Sequence, residues 1–150
     1  MNMRALVLLS ALVIPACSGG AGSVNPAPKA EASLTRFLQA AADSDLTVMA
    51  ATWGTSRGPA AETNNPSDYQ KRIVIMQSYL RGYAFRVVAN EAGNQGNQRV
   101  LSVELSKSGC LKVVPFTMVR ASQDRWLVFR FDLDRVGNPS TSCTNPGSGS

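Results

Sequence analysis

The chain predicts an α+β fold: three N-terminal helices packed on a curved, cone-like, four-stranded antiparallel sheet. Three observations carry this. Apolar residues recur at helical spacing between Leu34 and Leu80, and from Tyr83 onward the period falls to two. The strand-like runs are separated only by short turns at Gly93–Gly96, Ser108–Gly109 and Ser122–Asp124, which suit antiparallel neighbours rather than crossovers.

The elements follow in order. Ser33 is a fitting N-cap. Leu34, Phe37, Leu38 and Ala41 follow at i, i+3, i+4 and i+7, one face of a first helix. Asp43-Ser44-Asp45 breaks that pattern and caps a second helix whose inner face is Leu46, Met49, Ala50 and Trp53. Gly54 is expected to end it in the left-handed region, and 55–65 reads as loop. Pro66-Ser67-Asp68 starts a third helix with the stripe Tyr69, Ile73, Met76 and Leu80, closed by Arg81-Gly82.

Four strands are then expected at Tyr83–Asn90, Gln98–Ser106, Cys110–Ala121 and Arg125–Asp134. Alternation in the last puts Leu127, Phe129, Phe131 and Leu133 on one face and Trp126, Val128, Arg130 and Asp132 on the other. The third is apolar on both faces, with Leu111, Val113 and Val119 opposed to Val114, Phe116 and Met118, as a strand covered on both sides would be. Trp126 and Val128, extended by Phe116 and Met118, then form an apolar patch outside the core row. Such a patch marks an interface, for a second copy or an envelope protein, unless the C-terminal tail covers it. The stretch Gly93 to Asn97 is glycine-rich but reads as a hairpin turn.

The start of the chain has a different character. Met1–Arg4 are followed by the apolar run Ala5–Ile14, then Pro15-Ala16-Cys17 and the small residues Ser18-Gly19-Gly20. An apolar run of this length is too short for a membrane-spanning helix, which needs about 20 residues, and fits a cleaved export signal. Ile14, Ala16 and Cys17 resemble the lipobox of bacterial lipoproteins, from which Pro15 departs. The resemblance implies a signal peptide over 1–16, cleavage after Ala16, and acyl chains including palmitate on Cys17 that hold the protein to a lipid bilayer. More than one chain is needed, since a single acyl chain binds a membrane only marginally. The alternative is an ordinary secretory signal. Residues 17–32 then form the lipidated cysteine and a Gly/Ala/Pro/Ser tether, which extended reaches about 50 Å. The folded domain is expected over 33–136 and a tail over 137–150. Localisation follows: the cell envelope, facing the periplasm or exterior. Ser18 is not the aspartate that retains lipoproteins at an inner membrane, so the outer membrane is favoured in a host with two.

Composition narrows the function. The formal charge is +5, and loss of Arg4 with the signal lowers it by one. The basic residues stand singly apart from Lys71-Arg72, so no nucleic-acid groove is expected. The chain has no histidine. That removes serine and cysteine nucleophile systems built on imidazole and most zinc and iron sites. No phosphate-binding glycine loop or CxxC motif is present, and neither a metal nor a cofactor is expected. With Cys17 committed to lipid, Cys110 and Cys143 are left, and in an oxidising envelope a disulfide is expected. Free thiols or a metal pair are the alternatives, though two sulfurs without histidine make a poor zinc site.

The opening LTRFLQAAADSDLTVMAATWG, with Phe37, Ala41, Asp45, Leu46 and Trp53 at the defining places, resembles the first helical hairpin of the nuclear transport factor 2-like superfamily. That group includes the polyketide-cyclase-like and ketosteroid-isomerase-like domains. The closing RWLVFRFDLD resembles the family's last strand. The resemblance spans about residues 33 to 135. It implies a cavity between the helices and the concave sheet face, lined by Trp53, Tyr69, Met76, Tyr79, Tyr83, Phe116 and Phe131. The plainer reading is that these side chains fill the core. It also allows a carboxylate base, but Glu104, Asp132 and Asp134 match no motif, and Asp132 is expected to pair across strands on the exposed face. No catalytic residue is assigned. Three functions are therefore weighed: a non-catalytic domain binding a small ligand or a protein, a histidine-free isomerase or cyclase, and a structural subunit of an envelope complex.

Overall fold

A computed structural model describes residues 29–142. The signal, Cys17, most of the tether and Cys143 lie outside the described residues. What is described is mixed α+β: five α-helices, a two-stranded ribbon and a four-stranded antiparallel sheet.

Helix α1 (Ala30–Asp43) begins three residues before the expected cap. Ala30, Glu31 and Ala32 are good helix formers that composition alone assigned to the tether. Ser33 is therefore a buried helical residue, and its hydroxyl donates to the Trp126 carbonyl. Leu34, Phe37, Leu38 and Ala41 are buried as their spacing requires. Ser44 ends α1 in the left-handed region, its N–H bonded to Ala40 O. Asp45 caps α2 (Leu46–Thr52), accepting from Val48 N–H at 3.0 Å.

The segment expected to be loop holds small elements. Strands β1 (Gly54–Thr55) and β2 (Gly58–Pro59) form a tight ribbon, followed by one helical turn, α3 (Ala60–Thr63). Gly54 does not cap α2 in a left-handed conformation; Trp53 turns extended and ends the helix. Glycine is needed at 54 for closeness, since a Cβ there would stand 2.3 Å from Gly58 O. Elements of two to four residues carry no readable period, so sequence pattern could not separate them from loop.

Helix α4 (Tyr69–Leu80) buries Ile73, Met76 and Leu80. Buried Gln77 donates to Ala41 O and Ser44 Oγ, at 3.4 and 3.0 Å, joining α4 to the end of α1.

The sheet runs β3 (Ala84–Ala92), β4 (Gln98–Lys107), β5 (Cys110–Arg120) and β6 (Trp126–Phe131), each paired with the next. Ser108 and Gly109 both have positive φ, the requirement of a two-residue hairpin turn whose twist matches the strands. Helix α1 lies against β3, β5 and β6, while α2 and α4 pack on α1. The core between them holds Phe37, Met49, Leu101, Val103, Phe116, Met118 and Val128. Phe131 stacks on Phe116 at 4.5 Å and meets Phe37 edge-on at 6.3 Å.

Pairing in β6 departs from strict alternation. Thr117 opposes Arg130 but Met118 opposes Val128, so Phe129 is an extra residue, a β-bulge. The bulge reverses the faces of everything before it. Val128 is fully buried beside Met118 in the main core, and Trp126 packs against that core half-buried. The exposed interface expected at Trp126 and Val128, with Phe116 and Met118, is thus corrected: all four face inward. Leu127 and Phe129 lie instead with Val119 and Ala121 in a small second cluster on the other face. Cover on that face is limited to this end of β5, for Leu111 and Val113 are 52% and 53% exposed.

The last strand also stops early. Asp132 accepts from Asp134 N–H at 2.9 Å and caps a short helix, α5 (Leu133–Val136). Asp132 therefore makes no cross-strand pair; its nearest cation is Arg135, at 3.7 Å. Among the described residues every buried side-chain nitrogen and oxygen is hydrogen-bonded.

Candidate functional site

The residues expected to line one cavity separate in space. Trp53, Met76 and Phe131 come together in a slot of about 520 Å³ between α4 and β6. That volume lies in the usual range for small-ligand sites, about 300–1,000 Å³. Tyr69 borders a different hollow, beside Leu46 and Ile73. Tyr79 packs against the core. Tyr83 donates its hydroxyl to Val136 O at 3.2 Å under the Lys107 ammonium, 5.3 Å from its ring. Phe116 is fully buried in the core itself.

The slot follows from how α4 and β6 present their side chains. Two stripes run along α4. Ile73, Met76 and Leu80 are buried; Asp68, which precedes the first helical residue and makes no side-chain cap bond, falls with Lys71, Arg72 and Ile75 at i, i+3, i+4 and i+7, and these face the slot. On the other wall the Phe129 bulge sets Phe129, Arg130 and Phe131 against the space. Trp53 also lines the slot, held beside β6 by an isolated parallel bridge to Val128. The walls are apolar (Trp53, Ile75, Met76, Phe129, Phe131, Leu133) and the charges sit among them.

Of the charged residues on the slot, Asp68 is the one acid. The Arg72 guanidinium hydrogen-bonds it at 2.9 Å and holds its carboxyl below the ordinary value, with Lys71 adding to the field. An exposed carboxylate so stabilised as the anion is a poor proton acceptor near neutral pH. The remaining cations, Lys71 and Arg130, have no carboxylate partner among the described residues, and Arg130 lies over the Phe129 ring at 5.7 Å. The slot suits binding better than proton transfer.

The acids singled out earlier are placed elsewhere. Glu104 is bound by Arg86 at 2.9 Å on the outer sheet face, and Asp132 and Asp134 belong to α5. No group of three or more Cys, Asp or Glu residues is placed to hold a metal ion among the described residues.

A second cavity, of about 530 Å³, adjoins the first at Phe129 and Arg130. Its walls are Thr55–Arg57 of the ribbon, Val119, and Asn94, Gln95, Asn97 and Gln98 at the β3–β4 turn. The glycine-rich segment is the turn it was expected to be, with Gly93 N–H bonded to Gln98 O at 3.0 Å, and its amides also build a wall. Arg57, Lys71, Ile75 and Arg130 were missed as site residues. The spacing of 68, 71, 72 and 75 was a legible signal; the approach of Arg57 to Arg130 was not, because it depends on the ribbon.

Cys110 is disulfide-bonded, and Cys143, the expected partner, lies outside the described residues. No helix among the described residues is long and apolar enough to cross a membrane. Compared with protein-family models, with curated proteins and with solved structures, the chain matches none of them.

Proposed function

We propose that this is a lipid-anchored, extracytoplasmic domain that binds a small ligand and performs no chemistry on it. The observation that carries the reading is the slot between α4 and β6, apolar-walled, with Asp68 tied up by Arg72. Decanol, a neutral apolar probe, should quench or shift the emission of Trp53 in the purified full chain with saturable binding. Ile75→Trp, at a half-exposed position on the wall, should weaken it. A flat titration would end the ligand-binding reading.

The anchor rests on the sequence at Ile14–Cys17. Labelled palmitate should enter the wild-type chain and not Cys17→Ser; equal labelling would remove both anchor and envelope address. The finer fold reading is a reduced cone of the nuclear transport factor 2-like kind. It draws support from the α1–α2 hairpin, from α4, and from the four-stranded meander with a bulge in each outer strand, since bulges bend strands. The Cys110–Cys143 pairing belongs to the same proposal.

A second reading, docking to an envelope protein or to another copy, has one observation in its favour. Leu111 and Val113 are exposed on the outer face of β5.

A further inference from the structure

We infer that the ligand is a single-chain anionic amphiphile, its apolar chain in the slot and its anionic head across Phe129 in the adjoining polar cavity. This deepens the proposed binding function and rests on it. The two cavities share Phe129 and Arg130, so a molecule lying along β6 past these two residues touches both. They differ sharply in character. The slot has a broad apolar wall of Trp53, Ile75, Met76, Phe131 and Leu133 and holds the acid Asp68 beside Lys71 and Arg72, whereas the neighbour offers Arg57, the shared Arg130 and four side-chain amides, with no carboxylate on its wall.

Charge complementarity fixes the sign of the head. Neither Arg57 nor Arg130 has a carboxylate partner among the described residues, and Arg130 stands where the two cavities meet. Guanidinium groups present planar pairs of donors that match carboxylate and phosphate oxygens. The amides of the 94–98 turn supply further donors. A neutral alcohol would leave both cations without counter-charge, and a cationic head would be repelled. A carboxylate and a phosphate monoester share the required chemistry, and the experiment separates them.

Decanoate, decyl phosphate and decanol share one chain length and differ in the head. Titrated below their aggregation limits into the full chain at low salt, the better anion should bind about tenfold or more tighter than decanol, as expected for charge-assisted hydrogen bonds. The preferred anion identifies the head. The advantage should shrink as salt rises. Arg57→Gln, which lies outside the slot, should remove most of it while leaving decanol affinity unchanged; Arg130→Gln should also remove most of it, read as the ratio of anion to decanol affinity in the same variant. Anions binding no better than decanol, or an advantage that survives both substitutions, would overturn the amphiphile and leave the slot standing. Failure of all three probes would overturn the binding function as well.

Discussion

The two central strands and the two outer strands of the sheet obey different rules. β4 and β5 pair through ten consecutive positions, from Gln98 with Val119 to Lys107 with Cys110, without a slip. Each outer strand slips once. β3 carries an extra residue at Val88, and β6 one at Phe129. A central strand is held on both sides by ladders and by the core face, so one residue of slippage would turn every side chain over. An outer strand is held on one side and can absorb an extra residue, at the gain of a bend. At β6 that freedom produced the site, because the residues released from strict alternation are the ones that wall the slot.

The sharpest way to break this contrast is to place the same charge at two valines. Val128→Lys, in the bulged strand, buries an ammonium beside Met118 and should cost more than about 4 kcal/mol, enough to prevent folding. Val113→Lys, in the unslipped strand, enters a half-exposed site facing Glu104 and should change stability by less than about 0.5 kcal/mol. Urea unfolding of the two variants is the measurement. Strict alternation through β6 predicts that Val128→Lys is tolerated, so a stable Val128→Lys protein would remove the bulge.

The same contrast explains what was legible. In β5 the sequence separates Val114, Phe116 and Met118 from Leu111, Val113 and Val119, and the structure keeps that division. In β6 the pattern WLVFRF is apolar at five positions of six, and nothing local says which residue is extra. Helix faces were readable because an i, i+3, i+4, i+7 stripe repeats over several turns, as at Leu34–Ala41 and Ile73–Leu80. The slot was half readable. Trp53, Met76 and Phe131 are legible, while Arg57 and Arg130 come to line one cavity only through the ribbon and the bulge.

A second test joins the two regions by a covalent bond. Cys110 opens the central strand β5 and is 3% exposed. Pairing it with Cys143 would tie the chain beyond the outer strand back to the regular part of the sheet. Non-reduced peptide mapping should find the two cysteines joined, and reduction should cost roughly 2–4 kcal/mol, read as a lower Tm. A Cys110 peptide joined elsewhere would refute the pairing.

The smallest expected effect is electrostatic and belongs to the slot. Asp68 opens α4 and accepts from Arg72, and that hydrogen bond is the main reason its carboxyl titrates below the ordinary value. The sign follows from linkage. An unfolded aspartate takes up its proton near about pH 3.9, earlier on acidification than the folded one. The contribution of Asp68 is therefore complete above about pH 4 and is lost as pH falls through its lowered folded value. Wild type should exceed Asp68→Asn in urea midpoint by a small margin near neutral pH, and the margin should close below about pH 4. The residue is exposed, so salt should shrink the margin too. A margin that stayed constant into strong acid would mean that Asp68 and asparagine differ there by something other than the carboxylate charge, and would refute the ion-pair account of the margin.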